Sequence, residues 1–149
     1  MQLTRFTDLG LRAMMLLAAG EFDDQRVTTR QIAANAGASE NHIAKAVSRL
    51  VELGLVHARR GRVGGLTLTD AGRGASIGWL VRELEGDREV IDCDGAAVCP
   101  LIAGCRLRRA LADAKNAFYT ELDRYRVTDL VRAPALQLLT LTPMERNPR

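Results

Sequence analysis

The sequence predicts a mostly helical fold carrying one small β-hairpin, and three observations lead to that expectation. Apolar residues recur every three or four positions from Phe6 to about Leu53, interrupted by capping residues and glycines. Two short runs of alternating character then flank a glycine-rich turn between Arg60 and Leu66. A helical apolar period returns at Leu107 and persists for several turns.

Taken in order, Phe6, Leu9, Ala13, Leu16 and Leu17 lie at helical spacing, so the chain opens with a helix ending near Gly20. Glu21 to Arg26 reads as a polar connector. Thr28 and Thr29 suit the start of a short helix, Arg30 to Ala36, closed by Gly37; Ser39 then caps a second helix running to about Leu53, before Gly54. Two helices joined by a brief glycine-containing turn make the helix-turn-helix outline. Ile43, Val47, Leu50 and Val51 form the stripe expected to face the core. Opposite them stand Asn41, His42, Lys45, Ser48 and Arg49, side chains able to bond base edges or phosphates.

Leu55 to Arg60 and Leu66 to Thr69 alternate as strands do, and Gly61-Arg62-Val63-Gly64-Gly65 turns the chain between them. A cationic hairpin directly after a helix-turn-helix is a wing, and its glycines allow close approach to phosphates or a minor groove. Thr69 or Asp70 caps the next helix, whose stripe of Ile77, Leu80, Val81 and Leu84 ends at Gly86; Gly72, Gly74 and Gly78 weaken its early turns. Trp79 is expected to pack. Beyond the acidic connector Asp87 to Asp92 and a cysteine-bearing loop, Leu107, Leu111, Ala114, Phe118, Leu122 and Tyr125 mark a long amphipathic helix, of a length that suits pairing with a second subunit. Thr128 is a candidate cap for a last short turn, and from Ala133 the proline-bearing tail carries little structural signal. The expected organisation is a winged helix-turn-helix over residues 1–86, a ligand-binding loop over 87–106, a dimerisation helix over 107–132 and a flexible tail over 133–149.

Composition narrows the function. The 149 residues are 47% apolar and 26% charged, the balance of a soluble globular protein, with no sign of disorder or a membrane span. The apolar run from Leu11 to Gly20 is flanked by Arg5, Asp8 and Arg12, so it reads as a cytoplasmic helix. The net charge of +3 is unevenly placed: ten Lys/Arg face seven Asp/Glu through Ala75, and eleven face eleven beyond it. The basic surplus thus falls on the winged half, where a nucleic acid would bind. Candidate contacts to a double-stranded operator are Thr28, Thr29, Arg30, Ser39, Asn41, His42, Lys45, Ser48 and Arg49, with Arg59, Arg60, Arg62, Gly64 and Gly65 on the hairpin. An enzyme is not expected, since the sequence holds no nucleotide fingerprint, paired-acid motif or nucleophilic triad.

All three cysteines, Cys93, Cys99 and Cys105, lie in one loop of small residues, with five residues between successive thiols. Three thiols cannot pair off, so a closed disulfide framework is excluded. A structural zinc site normally adds a tight cysteine pair and a fourth Cys or His, and neither His42 nor His57 is near in sequence. Iron-sulfur clusters accept wider spacing and are held mainly by thiolates, which makes them the better match, with one iron taking a different ligand. A 4Fe-4S cube suits three cysteines and one exchangeable ligand; a 2Fe-2S cluster is the alternative. A metal-free thiol switch would use the same three residues.

Several stretches together resemble the winged-helix repressor family that includes IscR and NsrR, over roughly Met1 to Arg132. They are Leu3-Thr4-Arg5-Phe6-Thr7-Asp8 with Leu11-Arg12-Ala13, the helix start Thr29-Arg30-Gln31-Ile32-Ala33, the turn Gly61-Arg62-Val63-Gly64-Gly65-Leu66, and Cys93, Cys99 and Cys105 followed by Arg106-Leu107. The resemblance implies a homodimer on a palindromic operator, with crossed long helices and a cluster that controls DNA affinity. Relatives of the IscR kind carry a histidine three residues after the last cysteine, where Arg108 stands here, so the resemblance moves toward the nitric-oxide-sensing branch. It makes Asp8 of the partner's first helix the first candidate for the remaining ligand; Asp92 and Asp94 are alternatives nearer in sequence. Nitric oxide reacting at the carboxylate-held iron would then free that carboxylate and release the operator.

Overall fold

The computed structural model describes residues 2–22, 27–59, 61, 64–86 and 88–132. Helix α1 (Arg5–Phe22) is the axis of the core, with Leu9, Ala13, Met14 and Leu17 sealed from water. It runs two residues beyond Gly20. One glycine costs a helix only about 1 kcal/mol, and Ala18 and Ala19 beside it are buried.

Helix α2 (Thr29–Ala36) begins with a capping box: the Thr28 hydroxyl accepts the Gln31 N–H at 3.2 Å, and the Thr28 N–H donates to Gln31 Oε1 at 2.9 Å. It ends at Gly37, whose φ of 61° lies in the left-handed region that a side chain disfavours. Helix α3 (Glu40–Glu52) starts from Ser39, whose Oγ accepts the His42 N–H at 3.3 Å. Its buried stripe is Ile43, Ala46, Val47 and Leu50. Val51, expected in that stripe, is 38% exposed, and Ala46 is buried in the stripe instead.

Strands β1 (Val56–Arg59) and β2 (Gly65–Leu68) pair antiparallel, Val56 opposite Leu68 and Arg59 opposite Gly65. Val27 adds a bridge to Leu66, whose N–H donates to Val27 O at 2.8 Å, so the hairpin is anchored to the segment entering α2.

The single helix expected after the hairpin is two. Helix α4 (Asp70–Gly74), capped by Thr69, stops at an extended Ala75, and Ser76 starts α5 (Ile77–Glu85) by accepting the Trp79 N–H at 3.1 Å. The break has a packing cause, since Ser76 Oγ also donates to Asp123 Oδ1 at 2.5 Å. Trp79, expected to pack, is 37% exposed; α5 turns Leu80, Val81 and Leu84 inward instead.

Helix α6 (Arg106–Leu122) lies on α5, closest at Gly78, where a β-carbon would stand 2.2 Å from Tyr119 O. A 3-10 helix (Val127–Val131) then carries Val127 and Val131 back into the core with no exposure. Its start is held by Asp129, which accepts the Arg126 N–H at 2.8 Å, rather than by Thr128. Beside it Ser76 and Arg126 form a bridge: the Ile77 N–H donates to Tyr125 O at 2.9 Å and the Val127 N–H to Ala75 O at 3.2 Å. Among the described residues no helix is long and apolar enough to cross a membrane. The expected tail, 133–149, lies outside the described residues.

Candidate nucleic-acid interface and metal centre

Burying Ile43, Ala46, Val47 and Leu50 turns the other side of α3 outward, and Asn41, His42, Lys45 and Ser48 are all exposed there. Asn41, Lys45 and Ser48 recur at intervals of four and three, so they form one line along the helix. Arg59 is exposed on β1, and its pairing with Gly65 places it at the turn end of the hairpin. Gly64 is half-buried, its N–H donating to Gly61 O at 2.9 Å. Arg60 and Arg62 lie outside the described residues.

Other expected contacts have structural employment. The Thr28 and Ser39 hydroxyls serve as helix caps, Thr29 is the half-buried first residue of α2, and Ser39 Oγ lies 2.9 Å from His42 Nδ1. Arg30 donates to Glu40 at 3.0 Å, an exposed pair of the kind worth about 0–1 kcal/mol and open to exchange for a phosphate. Arg49 is half-buried between two carboxylates, Glu52 at 3.4 Å and Glu83 at 3.2 Å.

The cysteine loop, residues 88–105, has no helix or strand among its described residues, as its glycines, alanines and proline foreshadow. Its first thiol, Cys93, is buried; Cys99 and Cys105 are half-buried. The Cys99 N–H donates to Cys93 O at 3.0 Å, which folds the intervening five residues into a closed bend. Cys105 is the N-terminal cap of α6, its Sγ accepting the Arg108 N–H at 3.5 Å. The Cys93 thiol is pushed above its ordinary pKa by burial, then by the nearby Cys99, Glu89 and Cys105, with Arg108 opposing. Such mutual repulsion among thiols is what a bound cation reverses.

Among the described residues no three His, Cys, Asp or Glu side chains are gathered closely enough for a single metal ion. The donor chemistry of three thiols on one loop, none with a histidine beside it, nevertheless fits a thiolate-held iron-sulfur cluster.

Arg108, where a histidine ligand would be sought, is occupied otherwise. Its Nε donates to Glu89 Oε2 at 2.8 Å and its Nη2 to Oε1, a two-pronged pair that holds the Glu89 carboxyl below its usual pKa and ties the loop's start to α6. Lys115 donates to Arg88 O from the same helix. Asp8 lies on α1, accepting from Arg12 Nε at 2.7 Å with Arg5 Nη1 at 3.9 Å. It lines an open groove of about 420 Å³ with Leu11, Met15, Asn35 and Ala36, at the α2 end of the winged half. Asp92 and Asp94 are exposed on the loop itself.

Sequence reasoning missed the contacts that tie α5 to its surroundings. Glu85 Oε1 accepts the Thr4 N–H at 2.6 Å and the Thr4 hydroxyl at 3.0 Å, and Arg82 donates to Asp123 Oδ2 at 2.8 Å while stacking over the Tyr119 ring. These pairs are 81 and 41 residues apart in the chain, so no local pattern announces them.

Residues 3–133 match the Rrf2 family, described as iron-dependent transcriptional regulators. The chain is 59% identical over 134 residues to the HTH-type transcriptional repressor NsrR of Streptomyces coelicolor, covering 90% of each. Among solved structures, IscR of T. potens is 24% identical, with a TM-score of 0.68 over 88% of this chain and 86% of that one. CymR, the global cysteine regulator of B. subtilis, is 24% identical, with a TM-score of 0.66 over 87% and 95%. These two likenesses concern the fold, and the winged-helix architecture above agrees with them.

Proposed function

The chain belongs to the Rrf2 family of transcriptional regulators, and from that premise we propose that it is a repressor whose grip on a palindromic operator depends on an iron-sulfur cluster and responds to nitric oxide. Homologues of this family are regulators, which are not enzymes. The observation that carries the reading is the pairing of two features in one chain: an exposed polar line on α3 beside a cationic strand end, and every thiol on the loop between α5 and α6.

On DNA, α3 enters the major groove and Asn41, Lys45 and Ser48 bond base edges, while Arg59, with Arg60 and Arg62, meets phosphates. A homodimer presents two such helices, about 34–36 Å apart, to successive major grooves of a palindrome. Cys93, Cys99 and Cys105 hold the cluster, 4Fe-4S in preference to 2Fe-2S. Asp8 of the partner subunit is the first candidate for the remaining ligand, ahead of Asp92 and Asp94. When bound, the cluster supplies an iron whose hard carboxylate ligand exchanges more readily than thiolates do, which is where nitric oxide would enter. Asp8 is on the same helix that packs against α3, so release of its carboxylate changes what orients the DNA-reading face. A loss of even about 3 kcal/mol would weaken operator binding more than a hundredfold.

A metal-free thiol switch on the same loop is the second reading, favoured by the Cys99 N–H to Cys93 O contact at 3.0 Å that brings those two residues together. Anaerobic protein is assayed for iron, sulfide and absorption, then for operator binding with and without nitric oxide. The cluster reading expects iron and sulfide together and binding that falls when nitric oxide is added. Full binding by protein free of metal would reject it.

A further inference from the structure

Arg49 is a cation of α3 that lies outside the line of Asn41, Lys45 and Ser48. A helix advances about 100° per residue, so Asn41, Lys45 and Ser48 share an arc of about 60°, and Arg49 lies at its edge, about 40° beyond Lys45 on the side away from Ser48. Its guanidinium is engaged there: Nη2 donates to Glu83 Oε2 of α5 at 3.2 Å, and Nη1 to Glu52 Oε2 at 3.4 Å. The Arg49 and Glu83 side chains are only 39% and 36% exposed, so the pair is partly withdrawn from solvent.

Glu83 sits in a short stretch of α5 that touches three other helices. Arg82 holds Asp123 just beyond α6, Glu83 holds Arg49 of α3, and Glu85 holds Thr4 at the start of α1. The next residue, Gly86, ends α5, and the chain passes toward the cysteine loop. α3 packs mainly on α1, α2 and β1, and the Arg49–Glu83 pair adds a directional contact from α3 to α5, close to where that loop begins.

We infer that Arg49 is a positioning residue rather than a phosphate contact, and that its ion pair with Glu83 sets how the recognition helix stands against α5, coupling the grip on DNA to the loop that follows α5. This rests on the reading of the protein as an operator-binding repressor.

The two roles differ in measurable ways. A residue that neutralises a phosphate lowers the slope of log affinity against log salt by about 0.9 when removed; a positioning residue does not. A phosphate contact also needs no acidic partner, whereas a positioning pair tolerates exchange of its charges.

The experiment uses the full-length protein prepared anaerobically and a duplex carrying the palindrome that the wild type selects from a random-sequence library. Affinities are read over a salt series, and circular dichroism checks that each variant is folded. Glu83→Gln, which alters nothing on the DNA-facing line, is expected to weaken binding about threefold to fivefold with the salt slope unchanged. Arg49→Glu weakens it about tenfold, and the exchanged pair Arg49→Glu with Glu83→Arg recovers to within about threefold of wild type. Arg49→Lys stays within about twofold. Unchanged affinity in Glu83→Gln, or an exchanged pair no better than Arg49→Glu together with a reduced slope in Arg49→Ala, would overturn the inference and leave the repressor reading standing. Failure of the wild type to enrich any palindrome would overturn both.

Discussion

Leu80, in the middle of α5, has no exposure to solvent, whereas Leu101 in the cysteine loop is 68% exposed and Leu107 at the start of α6 is 61% exposed. The contrast runs through the whole molecule. From α1 to α5 most of the apolar stripes close on one another and Leu9, Ile32, Ile43, Leu50 and Val56 are sealed, with Phe6, Val51 and Trp79 left partly exposed. From the loop onward, Val98, Leu101, Leu107 and Phe118 face water in the single chain, and α6 buries Tyr119 against α5 with Leu122 partly buried beside the core. Apolar surface left open in this way is available for something else to finish. The proposed cluster and the proposed second subunit are what would finish it.

The largest test of that contrast lies in the loop. Cys99→Ala is expected to abolish cluster assembly, read as loss of iron, sulfide and visible absorption, while the winged half keeps its helical circular dichroism. Collapse of the winged half in the same variant would mean the two regions are not separable. Next in size is the sealed half: Leu80→Ala should cost about 2–5 kcal/mol in denaturant unfolding, whereas Leu101→Ala, already solvated, should cost less than about 1 kcal/mol.

A smaller effect belongs to the seam between the regions. The Asp123 carboxyl is held below its ordinary pKa by the Ser76 hydroxyl and then by Arg82, against the desolvation that raises it. A carboxylate with a lowered folded pKa contributes stability in full above its unfolded value and loses it as pH falls through the folded one. Acid should therefore loosen α6 from α5, and Asp123→Asn should flatten the melting temperature against pH on the acid side. The smallest effect is expected at Arg124→Ala: its pair with Glu121 at 3.2 Å is 73% and 61% exposed, and unfolding should shift by less than about 0.5 kcal/mol.

The sealed half was legible in the sequence because its signals are local. Thr28, Ser39, Gly37 and the apolar spacing of α1 and α3 each act within one or two turns, and apart from the exposed Phe6 and Val51 they stand where expected. The break between α4 and α5 escaped because Ser76 is fixed by Asp123, 47 residues away. Trp79 misled for a related reason: its size argued for packing, yet the face that α5 buries is decided by α1 and α6. Of the candidate site, the cysteines announce themselves by spacing and the α3 line by amphipathicity. The ion pairs that hold Arg49 and Arg108 depend on residues 34 and 19 positions distant and leave no trace in a window of sequence.

The bridge between Ser76 and Arg126 has one more consequence. Everything from α5 through the cysteine loop to the end of α6 leaves and re-enters through one doorway, its two ends a single hydrogen-bonded step apart. The segment therefore closes as one loop on the rest of the chain, tied down by the buried Leu80, Val81 and Leu84 and by the contacts of Glu83 with Arg49 and Glu85 with Thr4.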